Sequence, residues 1–243
     1  IYTGEDTLSL HDALPIFEIQ RKLIKAKEKQ KKGFMQKMLT GEVRFSGYKE
    51  KWKEVTLDDI LIKIIGGGTP ARLKPEYWNG SINWCTVKDF SNFNPNKTQE
   101  SITNKGLKES SSSLIPKGIL ITPTRMAIGK VAIFNIDVAI NQDLKALFFN
   151  EKVITEYMYH WFIFNSVYIA NLGTGSTVMG IKLEELRSID IVIPSIDEQK
   201  KLATFFTLLD KEIQTLKDEL EELELQKQGL MHELLTGKIR VSR

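Results

Sequence analysis

Cysteine is almost absent from this chain and histidine nearly so: Cys85 stands alone, with only His11, His160 and His232 beside it. One thiol cannot form an internal disulfide, and these residues show no zinc-ligand spacing, so neither a disulfide scaffold nor a metal site is expected. A reducing, cytoplasmic setting fits that cysteine usage. No apolar run approaches the roughly 20 residues that cross a bilayer, and the start lacks the basic and apolar regions of a signal peptide, which points to a soluble protein. The phosphate-cradling G-x-x-x-x-G-K-[ST] pattern is missing too, since neither Gly66-Gly67-Gly68 nor Gly173-Thr174-Gly175 is followed by its lysine. There is no Asn-Pro-Pro-Tyr loop of the adenine-methyltransferase kind, and adjacent Lys88 and Asp89 do not make a nuclease centre. Neither catalysis nor a cofactor is therefore expected.

What is present is ordinary globular material, 42% apolar and 27% charged over 243 residues, enough to bury a sizeable core. Asp6 to Ile16 (DTLSLHDALPI) matches a frame-one translation of a common short-read sequencing adapter, so residues 1–16 are expected to be foreign to the fold. The formal net charge of +3 rises to +6 without them.

A repeat frames the rest. KKGFMQKMLTGEVRF, beginning at Lys31, matches KQGLMHELLTGKIRV, beginning at Lys227, with seven of fifteen positions identical. The downstream copy ends a long helical stretch announced by Pro194 and by a Ser195-x-x-Glu198 capping box. Ile213, Leu216, Leu220, Leu223, Leu230 and Leu234 mark its apolar seam, the site for helix pairing and partner docking. Thr40-Gly41 and Thr236-Gly237 are expected to stop the two helices. Residues 17–45 carry nine basic against three acidic residues, and residues 196–243 carry eight against ten. That complementarity predicts an antiparallel intramolecular coiled coil. The alternative is that each charge run is a solvated face.

Between them, residues 46–194 change to short β-prone runs, which makes the chain an α+β protein: a mixed globular domain flanked by long helices. Strands are expected at 52–57, 119–124, 130–134, 145–149 and 189–193, and a helix over 151–172 whose stripe of Tyr157, Trp161, Phe164 and Tyr168 packs as core. Three polar, glycine-bearing loops suit DNA contact. The first offers Gly67, Thr69, Arg72 and Lys74, with Lys88 beyond; the second offers Arg125 and Lys130; the third offers Thr174, Ser176 and then Lys182. Glycine lets a backbone approach phosphate, and the other side chains supply donors and acceptors for bases. An arginine such as Arg72 or Arg125 can grip guanine with both arms.

These pieces, in this order, resemble the specificity subunit of type I restriction–modification systems. The resemblance rests on Gly67-Gly68-Thr69-Pro70, Tyr77-Trp78-x-Gly80, Ile82-x-Trp84, Leu114-Ile115-Pro116-x-Gly118 and Asn141-Gln142. It continues through Gly173-x-Gly175-x-Thr177, the junction Ile193-Pro194-Ser195-x-x-Glu198-Gln199 and the two repeated helix ends. It implies a non-catalytic DNA reader. Residues 17–45 would end a central conserved helix, 46–194 would form one target-recognition domain with Gln142 among its contacts, and 195–243 would be the distal conserved helix. The implied partners are double-stranded DNA, the methyltransferase subunits and the motor/nuclease subunit. Such subunits carry two recognition domains, so a chain with one reads one half-site unless two copies dimerise. A coiled-coil interaction module without DNA specificity is the competing reading.

Overall fold

The structure, a computed structural model, describes residues 10–173 and 180–238. Two long helices, α1 (Leu10–Met38) and α7 (Ile196–Leu235), bracket in sequence a series of short strands and the shorter helices α2 (Leu57–Ile60), α3 (Asn104–Lys108), α4 (Thr155–Phe164), α5 (Ser166–Asn171) and α6 (Leu183–Arg187). The chain divides into two compact units, one built from α1 up to Gln36 and α7 from Thr204 onward, the other from Lys37–Ala203.

In the helical unit, partner numbers fall along α7 as they rise along α1, so the pairing is antiparallel, as the charges predict. Arg21 meets Glu224 and Lys27 meets Glu212, both at 2.6 Å; Lys31 meets Asp210, and Phe34 packs edge-on against Phe205. Exposed ion pairs are individually weak. The buried seam of Phe17, Ile24 and Met35 with Phe206 and Ile213 therefore carries most of the pairing. Leu216, Leu220, Leu223 and Leu234 are half-buried, but Leu230 is 43% exposed, contrary to the seam expected from sequence. Lys227 and Met231 take its place, with the Lys227 ammonium over the Phe17 ring at 5.1 Å. A seam with a 3.5-residue period drifts around a 3.6-residue helix, which accounts for the one-residue shift. The α1 backbone is already helical at Leu10, inside the segment expected to be foreign. Extending an existing helix costs little per residue, whatever the origin of the sequence.

In the globular unit, Gly41 (φ +77°) terminates α1, as expected. Strands β1 (Lys53–Thr56) and β10 (Asp190–Ile193) pair antiparallel and close the two ends of the domain. Between them lie two four-stranded sheets. One, antiparallel, has the order β2 (Leu61–Gly66), β9 (Leu144–Phe149), β6 (Leu120–Pro123), β7 (Ala132–Ile133). The other, mixed, has the order β4 (Glu100–Ile102), β3 (Trp78–Cys85), β8 (Val138–Ile140), β5 (Ser113–Ile115). Cys85, Phe134, Ile121, Ile140, Leu144 and Ala146 join both sheets in one core, and burial pushes the Cys85 thiol pKa far up.

All five expected strands form. The expected single helix is broken into α4 (Thr155–Phe164) and α5 (Ser166–Asn171), because the Asn165 side chain donates to the Trp161 carbonyl at 2.9 Å and offers the backbone an alternative partner. Tyr157 and Trp161 are core, as read, but Tyr168 beyond the break is 51% exposed. The capping box before α7 does not form either. Glu198 turns inward, 1% exposed, and accepts from Arg44 Nε (2.9 Å), Arg44 Nη2 (2.7 Å) and Trp52 Nε1 (3.2 Å). An ion pair with a buried member outbids a solvent-exposed cap. No described helix is long and apolar enough to cross a membrane.

Candidate nucleic-acid interface

The turn after β2 lies flush against β8 and the segment just before β5 because two of its residues lack side chains. A Cβ on Gly67 would sit 1.9 Å from the Ile140 carbonyl oxygen, and one on Gly68 would sit 1.8 Å from Ser111 Oγ. These glycines thus serve close packing within the protein. Gly68 N–H donates to the Ile140 carbonyl (3.1 Å), while its own carbonyl accepts from Trp84 Nε1 (3.2 Å) and Ser112 Oγ (2.5 Å). The loop so pinned carries Thr69 out to Gln142, whose Oε1 accepts from Thr69 Oγ1 at 2.6 Å.

Residues 141–143 form the turn between β8 and β9. Asn141 Nδ2 and Gln142 Nε2 both donate to Asp143 Oδ2, at 3.2 and 3.1 Å, and the Asp143 N–H returns to Asn141 Oδ1. The Asp143 carbonyl accepts from Thr124 N (2.8 Å) and Thr124 Oγ1 (3.1 Å), which ties this turn to the second loop. The third loop joins through Ile181 N–H to the Thr124 carbonyl (3.0 Å) and an Arg125–Gly180 bridge. Segments far apart in sequence thereby enclose a cleft of about 670 Å³ lined by Thr124, Arg125, Gln142, Lys145, Gly180, Ile181, Lys182 and Leu183.

Its charge is mostly positive. Arg125 is 64% exposed and 3.9 Å from the largely buried Asp143 carboxylate. Lys145 donates to the carbonyls of Gln142 (2.9 Å) and Leu144 (3.2 Å). Burial holds the Lys145 pKa below the usual lysine value, with Asp143 opposing and Arg125 reinforcing that shift. Lys182 is exposed at the rim.

Arg125, Gln142 and Lys182 thus come together, with Thr69 attached through Gln142. Arg72 and Lys74 do not join them. The Arg72 guanidinium stacks on Trp78 at 3.9 Å and on Trp84 at 4.9 Å, and it forks onto Glu100, whose carboxyl pKa it holds down. This pair borders a separate polar opening with Asn79, Asn83 and Gln99. Lys74 donates to the Tyr77 hydroxyl at 2.8 Å, which raises the lysine pKa, and Tyr77 in turn donates to Glu109 at 2.5 Å. Lys88 is exposed on a 3-10 turn (Val87–Phe90), and Lys130 reaches the Phe90 carbonyl at that turn's end (3.3 Å). Thr174 and Ser176 lie outside the described residues. Sequence reading missed Lys145 and Asp143, although both adjoin the Asn141-Gln142 pair; Lys145 reads there simply as the start of a strand.

Comparison with known proteins agrees with this architecture. The family model described as "Type I restriction modification DNA specificity domain" matches residues 49–225. The type I restriction enzyme MjaIX specificity subunit of Methanocaldococcus jannaschii is 34% identical over 178 residues, covering 71% of this chain and 41% of that protein. The putative MjaX specificity subunit of the same organism is 30% identical over 232 residues, covering 90% and 53%. Among solved structures, the type I restriction–modification S subunit from M. genitalium superposes with a TM-score of 0.64 at 14% identity, over 90% of this chain and 56% of that one, a likeness of fold. The chain spans about half the length of the curated relatives it matches. A match over most of the globular unit and much of α7 shows that the chain belongs to the type I restriction–modification DNA specificity family.

Proposed function

We propose that residues 46–194 are a target-recognition domain that reads one half of a split site in duplex DNA. The helical segments 17–45 and 195–243 then dock methyltransferase subunits and, with them, the motor/nuclease subunit, and the chain carries no catalytic centre. The observation that carries this reading is the convergence of separate loops on one positive cleft, with Arg125, Gln142, Lys145 and Lys182 around it and Thr69 held at its edge. DNA reading needs both phosphate-seeking cations and fixed donors and acceptors for base edges, and the cleft offers both. Arg72, Lys74, Lys88 and Lys130 act outside it, positioning loops or meeting phosphate. The described helical unit supports the docking role with a charged, partly apolar surface.

The test is binding of the full chain to duplex DNA across a salt series, with unrelated duplex as competitor. Affinity should fall steeply with salt, because each phosphate contact releases counterions, and one sequence should resist competition. Binding without salt dependence would leave the coiled-coil interaction module as the better account.

A further inference from the structure

Gln142 is exposed at the cleft, and its amide is tied on both sides, to Thr69 Oγ1 at 2.6 Å and to Asp143 Oδ2 at 3.1 Å. The chemistry fixes which end is which. A carboxylate only accepts, so the amide nitrogen faces Asp143 and its oxygen is left to the threonine hydroxyl. Neither support is loose. Asp143 is buried and braced by Asn141 and Thr124, and Thr69 is delivered by a loop that Gly67 packs against β8 and Gly68 against Ser111.

Among the described residues, what remains is a planar amide with one N–H and one oxygen lone pair uncommitted. In the major groove adenine presents an acceptor, N7, beside a donor, the N6 amino group, and an amide matches that pair with both hydrogen bonds. Guanine presents two acceptors there, cytosine a donor alone, and thymine an acceptor beside a methyl group, so none answers the amide as well. We infer that Gln142 is a specificity-determining residue that reads an adenine in the target, with Thr69 and Asp143 as positioning residues that hold the amide ready. This rests on the reading of the cleft as the DNA-contacting surface.

The experiment is selection from a randomised duplex pool by the full chain, as wild type and as Gln142→Ala, with both first matched for helix content and melting temperature. Wild type should enrich a block containing an adenine position. In Gln142→Ala the preference there should drop about 5- to 150-fold while neighbouring positions keep theirs. A duplex with 7-deazaadenine at that position loses N7 alone; it should bind wild type more weakly and Gln142→Ala unchanged. Thr69→Val, which keeps the shape but removes the donor, should relax preference at the same position. If Gln142→Ala enriches the same block with unaltered preference throughout, Gln142 reads nothing, although the cleft still reads DNA. If wild type enriches no sequence, the cleft is no reading surface, and the adenine assignment falls with it.

Discussion

Arg72 sits over Trp78 with its fork committed to Glu100, whereas Arg125 stands 64% exposed beside a cleft, near one carboxylate among the described residues. Arg125→Ala should therefore erode sequence discrimination in competition binding, while Arg72→Ala should chiefly loosen the loop between β2 and β3. The second effect depends on pH. Arg72 holds the Glu100 pKa below its ordinary 4.5, so the pair stabilises the fold fully above that value and stops doing so as pH falls through the lowered one. Chemical unfolding of wild type and Arg72→Ala should differ at neutral pH and converge in acid; a constant gap would rule out the carboxylate as the partner that matters. Glycines divide in the same manner. Gly67→Ala forces a methyl against the Ile140 backbone and should cost about 1–3 kcal/mol of unfolding free energy with weakened DNA discrimination. Gly118→Ala meets open space at φ +80°, and should cost about 1–2 kcal/mol with discrimination intact.

Among the elements, the long helices were legible because their signals are periodic and local: a repeat, a charge asymmetry and leucines at alternating three- and four-residue steps. The strands of the globular unit were harder. β3 carries Asn79 at φ 59° and a register shift between Trp78 and Ile82, which breaks the alternation that marks a strand, and β8 has only three residues, all buried. The capping box failed for a related reason, since Glu198 answers to Arg44 and Trp52, which are 154 and 146 residues away in sequence. Of the candidate site, residue types were legible but grouping was not, because Thr69 reaches Gln142 across 73 residues. In the coil, burial separates leucine-like positions that sequence treats as equal. Ile213→Ala, at 7% exposure, should cost about 2–5 kcal/mol, and Leu230→Ala, at 43%, no more than about 0.5 kcal/mol. Urea unfolding followed by helix content at 222 nm ranks the two, and equal losses would mean that the seam does not shift at Met231.

At the scale of the whole molecule, a formal charge of +3 over 243 residues is too small to draw DNA in by itself, so attraction must come from local concentration of cations. The cleft gathers Arg125, Lys145 and Lys182; with Arg125 turned to base edges, the two lysines as phosphate contacts would give a plot of log affinity against log salt a slope of about −1.8. Removing one exposed cation with Lys182→Ala should reduce that slope by about 0.9 without altering the sequence selected, because a phosphate contact carries no base information. A single such cleft among the described residues also limits what can be read. At concentrations where sedimentation gives a 27.8 kDa species, selection should return one short asymmetric block. A two-fold dimer would instead return two inverted copies at fixed spacing, since the symmetry of the reader is copied into its site. Sedimentation and selection run on the same sample therefore decide whether a single chain reads alone or two copies of this chain rebuild a reader of two half-sites.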